Sequence, residues 1–337
     1  MKNSMNILIY EHLCAGGCLQ GGGVSALIDE GAAMLKAALS DFGAVMAGRG
    51  GRVFAVVDRS VAGRFTDFPE INYVAGNIRT NFENALKECD GALLVAPETG
   101  GVLEKLTESL VSMGKINLGS GPEAVAITGD KSAFALLMER AGIAHPSTFA
   151  ITDGFNPGTV FSKKWVSKPV DGAGSEDVSI HPVCDNSRFV AGARMLAQEY
   201  IEGEAMSLCI VSGEKESVIL SVNRQMFDTG SGLKYIGGVV TDEEPSVKLR
   251  NIVDKIKRAI PGLRGFWGLD YIQTGSGPVV IEVNPRLTSS YCALGEALNI
   301  NPAKVILDSV TDKTLPDSFD RKEIEFTQNS DKICKKF

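Results

Sequence analysis

Hydrophobic residues in the first 120 positions form short runs that alternate with amphipathic stretches. The runs predict buried strands: NILIY (6–10), RVFAVVD (52–58) and GALLVAPE (91–98). The amphipathic stretches predict helices: SALIDEGAAMLKAALSDFG (25–43), NFENALKECD (81–90) and VLEKLTESLVSMG (102–114). Strands that alternate with helices indicate a doubly wound parallel sheet, which binds ligands beyond the carboxyl ends of its strands. We assign residues 1–121 to this domain.

The pattern changes after residue 121. One or two helices are predicted over 122–143, followed by strands around a glycine-rich loop, and then by longer strands that end in a hairpin. We divide this part into a small lobe (122–200), a large lobe (201–311) and a charged tail (312–337). The tail has weak periodicity, so we expect it to be peripheral or partly disordered.

The predicted hairpin GLDYIQTGSGPVVIEVNPRL (268–287) carries polar residues among its apolar ones. Asp270 and Glu282 are equally distant from Ser276 at the centre of the turn, so a tight hairpin places the two acids opposite each other. Asn284 and Arg286 share the face of Glu282 because side chains alternate along a strand. Two carboxylates and an amide oxygen suit Mg²⁺ or Mn²⁺. The alternative is a solvated polar face on an edge hairpin.

A second candidate segment is KPVDGAGSEDV (168–178). Lys168 ends an apolar strand, and Gly172, Gly174 and Ser175 follow in a loop whose backbone N–H groups can turn toward an anion. No Walker A motif occurs in the chain, and an ordinary hairpin turn explains the loop equally well. Lys131, after ITGD, is a further possible cation for phosphate. Arg224 lies in an apolar strand, where a buried guanidinium needs an anionic partner.

Composition narrows the class of protein. The 337 residues carry a net charge of −7, which argues against a nucleic-acid binder. No apolar run is long enough to predict a membrane-spanning helix. The seven cysteines are scattered and odd in number, which favours reduced thiols in a cytoplasmic protein.

Taken in order, these motifs resemble the ATP-grasp superfamily between about residues 117 and 307. WVSKPVDGAGSEDV is similar to its second lysine and flexible loop, QEYIEG (198–203) to its hinge strand, and GLDYIQ with VVIEVNPR to its metal-binding strands. The resemblance implies an α/β fold of the α+β grasp type, in which a doubly wound N-terminal domain precedes a two-part ATP-grasp fold.

The resemblance also implies roles for individual residues. Lys131 and Lys168 would contact ATP phosphates, and the loop with Gly172, Gly174 and Ser175 would close over them. The adenine pocket would be lined by Gln198, Glu199 and Ile201. Two Mg²⁺ or Mn²⁺ ions would be held by Asp270, Glu282 and Asn284, and Arg286 would stabilise the transferring phosphoryl group. Ala205 stands where many relatives have a ribose-binding glutamate, so Glu204 or Glu202 is expected to replace it.

An acyl phosphate formed from a carboxylate, and then displaced by an amine, is the chemistry that this family implies. The opening of the chain resembles the archaeal tyramine–L-glutamate ligases of methanofuran biosynthesis, on residues that include 28–31 and Met34. The implied small-molecule substrates are L-glutamate and tyramine, with Arg224 binding a glutamate carboxylate. Glu11 or Glu98 would bind an ammonium, or would instead cap a helix. Ser289, Ser290 and Tyr291 are candidates to face the acceptor, and a homodimer is expected by analogy.

A nucleotide-binding regulator with an inactive site is one alternative, although the intact Lys168, Asp270, Glu282 and Asn284 argue against it. Two other functions remain open. One is a different ATP-grasp amino-acid ligase, similar to the lysine-joining enzyme of pyrrolysine synthesis. The other is a dinucleotide-dependent oxidoreductase, because Gly21-x-Gly23-x-x-Ala26 matches the dinucleotide fingerprint and Asp58 ends the second strand. Those glycines lie several residues past the first strand, which weakens the match.

Overall fold

The computed structural model describes residues 4–17, 24–172, 178–182, 194–228 and 234–327, with the backbone alone for 24–26. Gly174 and Ser175 of the predicted phosphate loop therefore lie outside the described residues, as do Gly21 and Gly23. No helix in the described part of the chain is long and apolar enough to cross a membrane. The cysteines described there, at positions 14, 89, 209 and 292, are all free.

The N-terminal domain is built on a parallel sheet of five strands in the order β3-β2-β1-β4-β5. The strands are β1 (Asn6–Glu11), β2 (Arg52–Asp58), β3 (Ile71–Val74), β4 (Gly91–Val95) and β5 (Ile116–Asn117). The helices are α1 (Val24–Arg49), α2 (Ile78–Glu88) and α3 (Val102–Ser112).

Both faces of this sheet are covered. Ile7 and Ile9 of β1 belong to the hydrophobic cluster that includes α1, whereas Leu8 and Tyr10 belong to the cluster that includes α2 and α3. Side chains that alternate between two apolar layers explain why the strands are hydrophobic throughout. The predicted doubly wound sheet is confirmed.

The next segment contains two helices and a small antiparallel sheet in the order β6-β9-β7-β8. The helices are α4 (Pro122–Gly129) and α5 (Lys131–Arg140). The strands are β6 (Thr148–Ala150), β7 (Trp165–Pro169), β8 (Ser179–His181) and β9 (Met195–Glu199). Asp130 caps α5 by accepting hydrogen bonds from the backbone N–H groups of Ser132 and Ala133, at 2.9 and 3.0 Å. This cap places Lys131 in the first turn of α5.

A six-stranded antiparallel sheet in the order β14-β13-β10-β11-β12-β15 forms the rest of the fold. Its strands are β10 (Glu204–Ser212), β11 (Ser217–Asp228), β12 (Lys234–Val240), β13 (Gly265–Thr274), β14 (Gly277–Asn284) and β15 (Ile324–Thr327). The accompanying helices are α6 (Val247–Ala259), α7 (Tyr291–Leu298) and α8 (Pro302–Thr311). Leu208 and Ile210 pack in the cluster of α6, while Cys209 and Val211 pack in the cluster of α7, α8 and α1. The N-terminal domain and the large sheet therefore share one core.

The described part of the tail, residues 312–327, is mostly exposed or half-buried, but it ends in a strand at the edge of the large sheet. Strand β15 pairs with β12, and Phe326 is 2% exposed in the shared core. Gly237 of β12 has φ 143°, and a Cβ there would lie 2.3 Å from the carbonyl oxygen of Phe326. The close approach of the two backbones explains the glycine pair at 237–238. Residues 328–337 of the tail lie outside the described part.

Candidate active site

The register of the β13–β14 hairpin is set by a turn and a bulge. Thr274 pairs with Gly277 across a two-residue turn, which in a regular ladder would align Asp270 with Ile281. The register shifts by one residue before that point, so Asp270 pairs with Glu282 and Gly268 with Asn284. The two acids lie opposite each other, as their equal distance from Ser276 predicts.

A network of hydrogen bonds surrounds Asp270. Asn284 Nδ2 donates to Asp270 Oδ2 at 3.0 Å, and Gln225 Nε2 of β11 donates to Asp270 Oδ1 at 3.1 Å. Burial, and then the charge of Glu282, raise the pKa of Asp270. Burial acts in the same direction on Glu282, but the charges of Lys131, Lys168 and Arg286 outweigh it and lower the pKa of that carboxyl. The two carboxyls of this coupled pair therefore shift in opposite directions, and the nearby cations favour the charged form of Glu282.

The donor set fits a hard divalent cation. In the part of the chain that the structure describes, no three His, Cys, Asp or Glu side chains cluster closely enough to hold a metal ion. The set here consists of the two carboxylates and the amide of Asn284, which leaves room for phosphate oxygens. Burial, and then the charge of Glu282, disfavour the charged form of Asp270 and so raise its pKa, and a bound cation would favour that charged form. Asn284 now points its Nδ2 at Asp270, so its amide must rotate to offer its oxygen to an ion.

Two lysines of the small lobe reach the acidic pair. Lys131 Nζ lies 3.7 Å from Glu282 Oε2 and donates to the carbonyl oxygen of Gly172 at 2.5 Å. Lys168 of β7 is buried, which lowers its pKa to about 8 although the charge of Glu282 raises it. The structure thus brings together the two predicted phosphate lysines, the start of the glycine loop and the predicted metal ligands.

These groups line a cavity of about 670 Å³ between the small lobe and the large sheet. Glu199 and Ile201 line its hinge side, as predicted for the adenine pocket. Gln198 lines it too, but its Nε2 donates to Thr148 Oγ1 at 2.8 Å and so also braces the small sheet. Glu204 is exposed and is absent from the lining, where Ala205 appears instead. The structure therefore gives Glu204 no support as the ribose ligand.

Arg286 joins the cavity to the N-terminal domain. Its Nε and Nη2 donate to the two carboxylate oxygens of Glu98 at 3.0 and 3.2 Å. Glu98 begins a turn that contains two left-handed glycines, Gly100 (φ 67°) and Gly101 (φ 66°). The N–H of Gly100 donates to Asp171 Oδ2 at 3.0 Å, beside the glycine loop. One turn of the N-terminal domain therefore contacts both the predicted catalytic arginine and the base of the phosphate loop.

Three other candidates lie elsewhere. Arg224 is on the opposite face of β11 from Gln225 and pairs with Glu323 at 2.8 Å, so the structure does not bring it into the cavity. Glu11 is 3% exposed and accepts hydrogen bonds from the backbone N–H groups of Cys14 and Leu13 at 2.7 and 3.3 Å, so its carboxylate caps the turn that follows β1. Tyr291 is buried in the core.

The sequence patterns did not indicate several of the residues that line the cavity. Gln225 contacts Asp270 directly, and Tyr235 accepts a hydrogen bond from Ser289 Oγ at 3.3 Å. Ser289 and Ser290 line the cavity as expected. Strand β11 carries polar side chains on both faces, Gln225 on one and Arg224 on the other, and β12 is mostly apolar, so their sequences do not reveal which side chains face the ligand.

Known protein families match most of this architecture. A family model described as the pre ATP-grasp 3 domain matches residues 70–125, and one described as the ATP-grasp domain matches residues 128–290. The chain belongs to the ATP-grasp superfamily. A structure from Archaeoglobus fulgidus, described as a putative ATP-grasp superfamily protein, has a TM-score of 0.70 at 23% identity and covers 96% of this chain and 92% of its own. The predicted ATP-grasp fold is confirmed.

Similarity to curated proteins is consistent with this assignment. The tyramine–L-glutamate ligase of Methanocaldococcus jannaschii is 28% identical over 295 residues, which cover 86% of this chain and 84% of the relative. The protein of the same name from Methanocaldococcus fervens is 27% identical and covers 86% and 89%. The prediction of an ATP-dependent carbon–nitrogen ligase is confirmed at the level of the family, which displaces the oxidoreductase alternative.

Proposed function

We propose that this protein joins the γ-carboxylate of L-glutamate to the amine of tyramine, forming γ-glutamyltyramine, ADP and phosphate. The similarity to the two tyramine–L-glutamate ligases supports this substrate pair most strongly. It extends over 86% of the chain and so cannot be confined to the matched ATP-grasp domain. This reaction would be a step of methanofuran biosynthesis.

The first step is phosphoryl transfer to glutamate. A γ-carboxylate oxygen attacks the γ-phosphorus of ATP, and the bond from that phosphorus to ADP breaks. Lys131 and Lys168 bind the phosphates, and Arg286 stabilises the negative charge of the phosphoryl group as it is transferred. Asp270, Glu282 and Asn284 would hold Mg²⁺ or Mn²⁺, which when bound neutralises the phosphate oxygens.

The second step forms the amide. The amine attacks the acyl carbon, phosphate leaves with one former carboxylate oxygen, and the nitrogen loses a proton. Water would hydrolyse the acyl phosphate, so the cavity must close around it. The lysines, the acidic pair and the arginine lie in one cavity of about 670 Å³, which provides the charge for the first step and room for both substrates.

The direct test supplies ATP and Mg²⁺ or Mn²⁺, with L-glutamate and tyramine separately and together. ADP and products are measured by chromatography and mass spectrometry. We expect a glutamate–tyramine condensation product that requires both substrates. Glu282→Gln should still bind ATP but should release no ADP. ADP formation with other acid–amine pairs, and none with this pair, would reject the proposed substrates and leave the ligase class standing.

A further inference from the structure

The N-terminal domain supplies one acid to the cavity. Among the described residues that line it, Leu27 and Glu30 of α1 are those that come from this domain. The negative charge of Glu30 raises the pKa of Arg286, of Tyr235 and of Cys292. Its carboxylate therefore lies close to Arg286, to Tyr235 of β12 and to Cys292 of α7, and it shares the cavity lining with the first two.

The packing of α1 fixes which of two neighbouring acids faces the cavity. A Cβ on Gly31 would lie 2.6 Å from Cδ of Glu11, so the helix sits directly on the end of β1. Asp29 points away and pairs with Arg64 at 2.7 Å. Consecutive helical residues point about 100° apart, so Glu30 is turned toward the cavity instead.

The charges inside the cavity give Glu30 a role. At the reacting centre, the three cations Lys131, Lys168 and Arg286 are already balanced by the three anions Asp270, Glu282 and Glu98. An acceptor amine arrives as an ammonium, so it needs a further anion to receive it. Glu30 provides such an anion on the acceptor side.

An aromatic surface stands beside this acid. The rings of Phe227 and Tyr235 are T-shaped at a centroid distance of 5.7 Å, and both residues line the cavity together with Leu27. Aromatic and aliphatic side chains of this kind receive the apolar part of a ligand. An anion next to an apolar wall matches an arylalkylammonium ion.

We infer that Glu30 binds the ammonium group of the acceptor amine, while Phe227, Tyr235 and Leu27 receive its apolar part. This inference rests on the proposed ligase function and adds the acceptor subsite to it. Glu30 is a binding residue for the second substrate and takes no part in phosphoryl transfer.

The test compares Glu30→Gln with Asp29→Asn, a matched loss of one charge on the same helix turn. We expect Glu30→Gln to raise KM for tyramine about tenfold or more, as for a lost pairing with a charged ligand, while KM for ATP and glutamate stays unchanged. Glu30→Asp keeps the charge and should restore part of the affinity. Equal thermal midpoints for the variants would show that folding is intact.

Hydroxylamine, which is largely uncharged at neutral pH, separates binding from chemistry. It should yield the hydroxamate at the same rate with wild type and Glu30→Gln, because it needs no counterion. The inference is overturned if Glu30→Gln changes KM for the amine no more than Asp29→Asn, or if hydroxamate formation falls equally.

The proposed substrates can fail separately from this subsite. If wild type forms the hydroxamate but does not use tyramine, the proposed amine is wrong. The same variants are then compared on whichever amine of an aryl and alkyl panel the wild type accepts. A selective rise in KM for that amine supports Glu30, and no rise refutes it.

Discussion

Replacing Glu98 with glutamine tests whether the N-terminal domain holds Arg286, the predicted catalytic arginine, in place. Glu98 accepts two hydrogen bonds from Arg286, at 3.0 and 3.2 Å, and the two side chains are 9% and 15% exposed. Glutamine keeps the shape and one acceptor oxygen but removes the charge. The variant side chain then holds the Arg286 guanidinium less firmly at the edge of the cavity.

The expected size follows from this burial. Removing one partner of a buried ion pair costs roughly 3–5 kcal/mol, and a retained hydrogen bond to a charged group returns about 1.5–3 kcal/mol. The midpoints of these two ranges differ by about 1.8 kcal/mol, and a loss of that size in the positioning of Arg286 corresponds to a decrease in kcat of roughly 20-fold. KM for ATP should change little, because the lysines remain in place.

The assay is steady-state ADP release, combined with denaturant unfolding of the same variants. Glu323→Gln is the matched control, because Glu323 pairs with Arg224 at 2.8 Å but the two side chains are 55% and 42% exposed. That change should cost no more than about 1 kcal/mol and should leave kcat unchanged. A Glu98→Gln enzyme as fast as wild type would refute the positioning role, and a faster enzyme would mean that Glu98 holds the arginine away from the reacting group.

The remaining predictions concern the acidic pair Asp270 and Glu282, the buried Lys168 and the tail. The raised pKa of Asp270 means that the folded, metal-free protein keeps a proton that the unfolded chain releases, so this group lowers stability as pH rises from about 4 toward that raised value. Thermal stabilisation by Mg²⁺ or Mn²⁺ should therefore grow over the same range, and Asp270→Asn should abolish this growth. Lys168→Met should eliminate ADP release without lowering the thermal midpoint, because burial disfavours the charged amine. Phe326→Ala should cost about 3–5 kcal/mol in urea unfolding, and a loss below about 1 kcal/mol would show that β15 is dispensable.

The β13–β14 hairpin shows how well the spacing of residues in the sequence predicts which side chains lie opposite each other. Asp270 and Glu282 were predicted to face each other from their distances to Ser276 alone. The structure reaches that pairing with a two-residue turn and one bulged residue, which together displace the register as a three-residue loop would. Spacing therefore predicted the outcome, whereas the local backbone geometry required coordinates.

Other features depend on packing that no short stretch of sequence contains. Strand β11 carries polar side chains on both faces near its end, Asn223 and Gln225 on one and Arg224 on the other, so their alternation could not show which of the two faces lies beside Asp270. Strand β12 was missed because its glycine pair weakens strand propensity, although the neighbouring backbone at Phe326 requires glycine at 237. Glu30 resembles any acid of an amphipathic helix until the packing of α1 on β1 turns it toward the cavity.

Transfer of an oxygen isotope tests the central claim, carboxylate–amine ligation through an acyl phosphate, most directly. The enzyme is supplied with ATP, Mg²⁺, tyramine and L-glutamate in which both oxygens of the γ-carboxylate are ¹⁸O. The phosphate and the amide product are then analysed by mass spectrometry. The account predicts one ¹⁸O atom in each phosphate and one in the amide product. Amide formation with unlabelled phosphate, or with AMP and pyrophosphate in place of ADP, would contradict it.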